Sequence, residues 1–226
     1  MADLLAHNNQ LISLMAAHLI ASLAAAEVGH TKCAIMWLTI QSALLAAIFA
    51  MLAHLTGASH LYLWAAVCVL TKVGLIPLLL WHYSNELPPQ EARSLVGLQW
   101  SIIVVAVALV GFYRFLHGYL AFVAPGRAAV TEPALTSWAI AFTVIALGLY
   151  VLAVRRDAIK LVIGVILMEN GVHLTLVSLA PTVPETTMLG VTTNVIVLAW
   201  LLLYLTAGIY RLMGTRDVTT LSQLRR

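Results

Sequence analysis

Glu169 stands at the eleventh position of an apolar stretch of twenty-one residues, Ile159 to Leu179. A carboxylate near the middle of a bilayer costs at least ~2.5–3.5 kcal/mol on insertion scales, so it marks a functional site by default. His173 follows four residues later, and on a helix that spacing stacks both side chains on one face. Two proton-exchanging groups stacked inside a membrane predict a step in a proton path. The alternative is a buried polar pair that ties helices together.

Lys72 is the second ionisable group inside a hydrophobic segment. It is the twelfth residue of the stretch Leu61–Trp81, too deep for its stem to reach either interface with ease. Burial disfavours the charged form of an ammonium and of a carboxylate, and pairing the two restores it. Lys72 placed beside Glu169 would therefore make a proton store. A structural ion pair, or a lysine facing a neighbouring subunit, is the alternative. Pro77 lies inside the same stretch and predicts a kink near Lys72, with freed carbonyls able to hold water.

Two further polar residues join the candidates. His18 lies midway along the first apolar segment and can shuttle protons near neutral pH. Asn194, with Thr192 and Thr193, gives the last segment a polar patch that could hold water or bond across helices.

The rest of the chain is built to keep these groups in lipid. It is 62% hydrophobic and 9% charged, with a mean hydropathy of +0.97. Soluble domains average about 25% charged residues, so the sequence reads as an integral membrane protein. The net charge is +3, but the basic residues fall in loops and at the C-terminus, where they report topology, with no nucleic acid as partner. Cys33 and Cys68 form no CxxC pair and read as inert thiols. Ala21–Ala26 and Glu27 faintly resemble a signal-peptidase site, but no Lys or Arg precedes Lys32, so the first segment reads as a retained helix.

Seven segments are long enough to cross about 30 Å of hydrocarbon. They are Leu11–Val28, Cys33–Leu55, Leu61–Trp81, Leu95–Phe115, Ala134–Val154, Ile159–Leu179 and Leu189–Tyr210. Lipid offers no partner to a free backbone, so each must be helical. The expected fold is all-α, polytopic, with seven transmembrane helices. Gly57-Ala58-Ser59, Pro88-Pro89, Pro125-Gly126, Glu132-Pro133, Pro181 and Pro184 mark the breaks.

Lys32, Arg93, Arg155, Arg156, Lys160, Arg211, Arg216, Arg225 and Arg226 share one set of alternate loops. Arg114 and Arg127 belong to the other side. The positive-inside rule then puts the N-terminus outside and the C-terminus in the cytoplasm. Val218, Leu221 and Leu224 recur every three residues and predict a short amphipathic strip that docks on a partner. No metal-ligand spacing, dinucleotide fingerprint, phosphate loop or nucleophile elbow is present, so no cofactor and no free-standing catalytic activity are expected.

Three motifs together carry a resemblance. Thr71-Lys72-Val73 with Pro77, Leu167-Met168-Glu169-Asn170-Gly171 with His173, and Gly214-Thr215-Arg216-Asp217-Val218-Thr219-Thr220-Leu221 resemble the hydrogenase-4 component E (HyfE) family. The resemblance covers nearly the whole chain. The last three segments also resemble the NuoK subunit of complex I and the MrpC subunit of cation/proton antiporters. This divides the chain into an N-terminal region, 1–133, with Lys72, and a NuoK/MrpC-like region, 134–226, with Glu169.

The resemblance implies a non-catalytic subunit in the membrane arm of a complex-I-like assembly in a bacterial or archaeal cytoplasmic (inner) membrane. A group 4 nickel–iron hydrogenase or formate hydrogenlyase module would drive proton or sodium movement there. The partners implied are antiporter-like and NuoH-like membrane subunits and a peripheral nickel–iron and iron–sulfur module. By resemblance Glu169 matches a proposed proton carrier, and Lys72 matches the family's lysine in the third span. Where NuoK carries a second acid, this chain has Asn194, and an amide cannot carry a proton as a carboxylate can. Two other readings remain open: a subunit of a multi-subunit cation/proton antiporter, and a purely structural membrane spacer.

Overall fold

The computed structural model describes residues 2–86, 98–119, 132–179, 185–214 and 218. Its helices are α1 (Ala2–Glu27), α2 (Thr31–Thr56), α3 (His60–Cys68), α4 (Ile76–Glu86), α5 (Leu98–Gly118), α6 (Glu132–Val154), α7 (Ala158–Leu179) and α8 (Glu185–Met213). A π-helical segment, Val69–Leu75, joins α3 to α4, and Cys68, Val69 and Ile76 keep right-handed helical dihedrals. The three pieces thus make one rod. Seven rods are long and apolar enough to cross a bilayer, and the chain is a multi-pass membrane protein. There is no strand among the described residues.

All seven expected spans are present as helices. The third extends past Trp81 to Glu86, and the proposed start of the fourth, Leu95, lies outside the described residues. The disturbance expected from Pro77 takes the form of the π-helical segment just upstream. Pro77 has no N–H to offer, and the amide of Ile76 reaches back to the carbonyl of Thr71, one residue further than in an α-helix.

Local chemistry sets the helix ends. Gly57, with φ 68°, closes α2 in the left-handed region that favours glycine. Asp157 caps α7: its Oδ1 accepts from the amides of Ile159 and Lys160, at 3.0 and 3.2 Å. Pro133 stands in the first turn of α6, where a missing N–H costs nothing.

One apolar core, with residues from every helix, runs across the boundary at residue 133. The closest approach in it is between α6 and α7. A Cβ on Gly148 would come 2.6 Å from the backbone nitrogen of Met168, and one on Gly171 would come 2.8 Å from that of Ile145. Glycine at these two positions lets the backbones meet, as small residues do at membrane helix interfaces. Outward faces carry Leu70, Leu78, Val107, Tyr204 and Leu205, all exposed apolar or aromatic groups suited to lipid or to a neighbouring subunit.

The ends of the first, third, fifth and seventh spans gather on one side, as alternating crossings require. Arg155 Nη2 lies 2.9 Å from Glu27 Oε2, and Lys160 Nζ donates to the carbonyl of Ala25 at 2.8 Å. Lys32 Nζ sits 5.1 Å from the ring centre of Trp81, and Arg211 Nη2 lies 3.9 Å from Glu86 Oε2. The amide of Val218 donates to the carbonyl of Arg156 at 3.1 Å, which brings that residue to this side as well. Arg93, Arg127, Arg216, Arg225 and Arg226, with Leu221 and Leu224 of the expected strip, lie outside the described residues.

Candidate functional site

Three features place the site. The π-helical segment turns Lys72 inward, Gly148 and Gly171 let α6 and α7 pack hard together, and the spacing of Glu169 and His173 stacks them on one face of α7. Asn170 follows Glu169 and is wholly buried.

Lys72 Nζ donates at 2.6 Å to Glu169 Oε2, at 2.6 Å to Asn170 Oδ1, and stands 2.6 Å from His173 Nδ1. An ammonium has three N–H donors and no acceptor. Here each donor has its own acceptor. Lys72 is 1% exposed, Glu169 5% and His173 0%, so the charges are set in a medium where pairing dominates. The lysine–carboxylate pairing that the sequence left open is therefore a direct contact.

His173 Nδ1 also lies 2.8 Å from Glu169 Oε1. One ring nitrogen thus faces both a donor and an acceptor. With its lone pair toward Lys72 it accepts; with a proton it donates to Glu169. Moving one proton from Nζ to Nδ1 needs no displacement of heavy atoms, since both partners already sit within proton-transfer reach. On its far side His173 Nε2 is buried and has no hydrogen-bond partner among the described residues.

The polar cluster continues into α2 and α1. Asn170 Nδ2 donates to Gln41 Oε1 at 2.6 Å and to Ser42 Oγ at 3.4 Å. Gln41 Nε2 lies 3.0 Å from His18 Nε2, and His18 Nδ1 lies 3.0 Å from the backbone carbonyl of Gln41. His18, Gln41, Ser42, Asn170 and His173 are all 0% exposed. His18 is thus joined to Lys72 through two amides.

The chain matches the family profile "NADH-ubiquinone/plastoquinone oxidoreductase chain 4L" over residues 136–226, the segment that holds Glu169, Asn170 and His173. It is also 31% identical over 191 residues to "Hydrogenase-4 component E" of Escherichia coli (strain K12), covering 82% of this chain and 83% of that protein. The proteins of the same name from Escherichia coli O157:H7 and Shigella flexneri match to the same extent. The chain belongs to the hydrogenase-4 component E family. No solved structure matches it.

Within this family member, Lys72, Glu169, His173 and His18 are brought together as one buried network. Asn194 is not: it is exposed on α8, next to exposed Thr193, while Thr192 is buried. The polar patch expected in the last span is split between two faces of its helix. Three members of the network were not singled out as site residues from sequence, Gln41, Ser42 and Asn170. The signal was present. Gln41 stands mid-way in the apolar stretch Cys33–Leu55, and an amide there needs partners as a charge does. Arg155 and Lys160 were read from sequence only as loop charge; they are 4% and 0% exposed and form a second buried charged group with Asp157, at 6%.

Proposed function

We propose that this chain is a non-catalytic membrane-arm subunit of a complex-I-like hydrogenase, and that Lys72, Glu169 and His173 exchange protons as the redox module turns over. The observation that carries the reading is the shared position of Lys72 Nζ, 2.6 Å from a carboxylate, an amide oxygen and an imidazole nitrogen. The name of the curated relatives supports a hydrogenase as the redox partner. The profile match supports the kinship with complex I.

In this reading the subunit lies in the cytoplasmic membrane with its N-terminus outside. The basic end of the bundle, with Lys32, Arg155, Arg156, Lys160 and Arg211, then faces the cytoplasm. The N-terminal region supplies Lys72, Gln41 and His18, and the NuoK-like region supplies Glu169, Asn170 and His173. The site lies on the seam between them. The peripheral nickel–iron and iron–sulfur module biases the seam through the neighbouring membrane subunits.

A purely structural reading has one observation in its favour: every donor of Lys72 already has an acceptor. Glu169→Gln separates the two. Glutamine keeps the shape and most of the hydrogen bonding but cannot take up a proton. In vesicles carrying the assembled complex, proton release per hydrogen turned over should fall toward background while the complex stays assembled. Unchanged proton release in Glu169→Gln and in Glu169→Ala sinks the exchange reading and leaves the spacer.

A further inference from the structure

We propose that Gln41 and Asn170 form a direction-locked pair of amides that makes protonation of His18 and protonation of Lys72 mutually exclusive. The inference rests on the reading of Lys72 as a proton-exchanging group.

The lock follows from donors and acceptors alone. The ammonium of Lys72 only donates, so the atom of Asn170 that faces it, at 2.6 Å, is the oxygen. Asn170 therefore turns its NH2 toward Gln41, which must answer with Oε1, at 2.6 Å. Gln41 then turns its own NH2 toward His18 Nε2, at 3.0 Å, and that nitrogen must carry a lone pair. The other ring nitrogen, Nδ1, faces the backbone carbonyl of Gln41 at 3.0 Å, which only accepts. The single ring proton therefore sits on Nδ1. One obligate donor and one obligate acceptor fix the two ends, and every link between them points from Lys72 toward His18.

Now let His18 take a proton on Nε2. That nitrogen becomes a donor, so Gln41 must rotate and offer Oε1. Its NH2 then meets Asn170, which must rotate and offer Oδ1. The NH2 of Asn170 now faces Lys72, which must supply a lone pair. A neutral amine has one and an ammonium has none. With both ends charged, one link in the chain becomes donor against donor, and Gln41, Asn170 and the neighbouring Ser42 are all 0% exposed, away from water that could relieve it.

The proton count balances. One N–H bond forms at His18 Nε2, with a proton from the solvent. One breaks at Lys72 Nζ, and its proton passes by way of His173 Nδ1, 2.6 Å away, to Glu169 Oε1, 2.8 Å further on, which leaves Nδ1 a lone pair for the amine that remains. The amides rotate and carry no proton themselves. The chain transmits direction only. The buried charged groups on the packed helices are Lys72 beside α3, Glu169 and Lys160 on α7, and Arg155 and Asp157 at the α6–α7 turn, and the amide chain joins His18 to Lys72. From α2, His18 meets the uncharged Gln41.

The test is nitrogen-15 NMR of the full chain, labelled at histidine, in lipid bilayers. The His18 signals are those lost in His18→Asn. In the parent at neutral pH, His18 should be neutral with its proton on Nδ1; an Nε2–H tautomer overturns the lock without any further variant. Lys72→Met removes the obligate donor, so the doubly protonated fraction of His18 at fixed pH should rise. That rise should be about fivefold or more larger with the amide chain intact than in a Gln41→Leu or an Asn170→Leu background, as for residues coupled through one network. Both backgrounds keep the change in through-space field but cut the chain at different links. Equal rises with and without the chain overturn the proposal. If Glu169→Gln leaves proton release unchanged while His18 still responds through the chain, only the transport role falls. If Glu169→Gln blocks proton release and the responses are equal, only the lock falls.

Discussion

Lys72 and His173 share a 2.6 Å contact between Nζ and Nδ1, across more than a hundred residues of chain and between two helical rods. The same Nδ1 stands 2.8 Å from Glu169 Oε1, so the lysine is held by its neighbours and also has a ready acceptor for its proton. Stability and the proposed proton exchange therefore draw on the same three side chains.

Lys72→Met should test the stability side. It removes the cation bonded to Glu169 Oε2 and strips Asn170 Oδ1 of its donor. Breaking a buried ion pair from one side costs about 3–5 kcal/mol, because a charge is left without compensation. Replacing both partners with apolar groups is close to neutral. Thermal unfolding in detergent should show a large fall in Tm for Lys72→Met and a partial recovery in Lys72→Met/Glu169→Met. A double variant as unstable as the sum of the two singles would mean that the pair is not coupled.

The helix seam can be tested without touching a polar group. A Cβ on Gly171 would come 2.7 Å from Ile145 Cγ1 and 2.8 Å from the Ile145 nitrogen, and backbone cannot move aside as a side-chain tip can. Gly171→Ala should therefore wedge α7 from α6 and lower stability by about 1–3 kcal/mol, the usual range for overpacking. Glu169 and His173 ride on the displaced helix, so proton release should fall with it. A Gly171→Ala protein with parental Tm would show that the helices do not meet this closely in the membrane.

Much of this arrangement was legible in the sequence, and the reasons are physical. A charge in lipid is so costly that Glu169 and Lys72 announce themselves, and helical spacing alone stacks His173 on Glu169. The seven spans follow from length and hydropathy. What the sequence hid was partnership. Gln41 and Asn170 are neutral and cheap enough to pass as helix glue; only the fold shows that they join two ionisable groups. Asn194 had the right composition around it, but a one-residue step on a helix turns a side chain by about 100°, and the packing of α8 leaves it facing outward. Arg155 and Lys160 are counted correctly as basic residues at one end of the bundle. Their burial depends on α1 ending beside them, and nothing local encodes that.

That burial makes the last prediction. Lys160 Nζ donates to the carbonyls of Ala25 and Ala26, at 2.8 and 3.3 Å, so a cation from α7 satisfies acceptors at the C-terminal end of α1. Those carbonyls have no partner within their own helix, and the negative end of the helix dipole favours a cation there. Beside it Arg155 Nη2 holds Glu27 at 2.9 Å. Lys160→Met keeps the length of the stem and removes both hydrogen bonds, leaving buried carbonyls unpaired at about 1–3 kcal/mol. Tm should fall by the corresponding amount, and the last turn of α1, near Ala25 to Glu27, should exchange its amide hydrogens faster. Arg155→Met should speed the same amides, since it frees the other anchor of that turn. Faster exchange confined to α7 would instead show that Lys160 supports its own helix and that α1 ends without it.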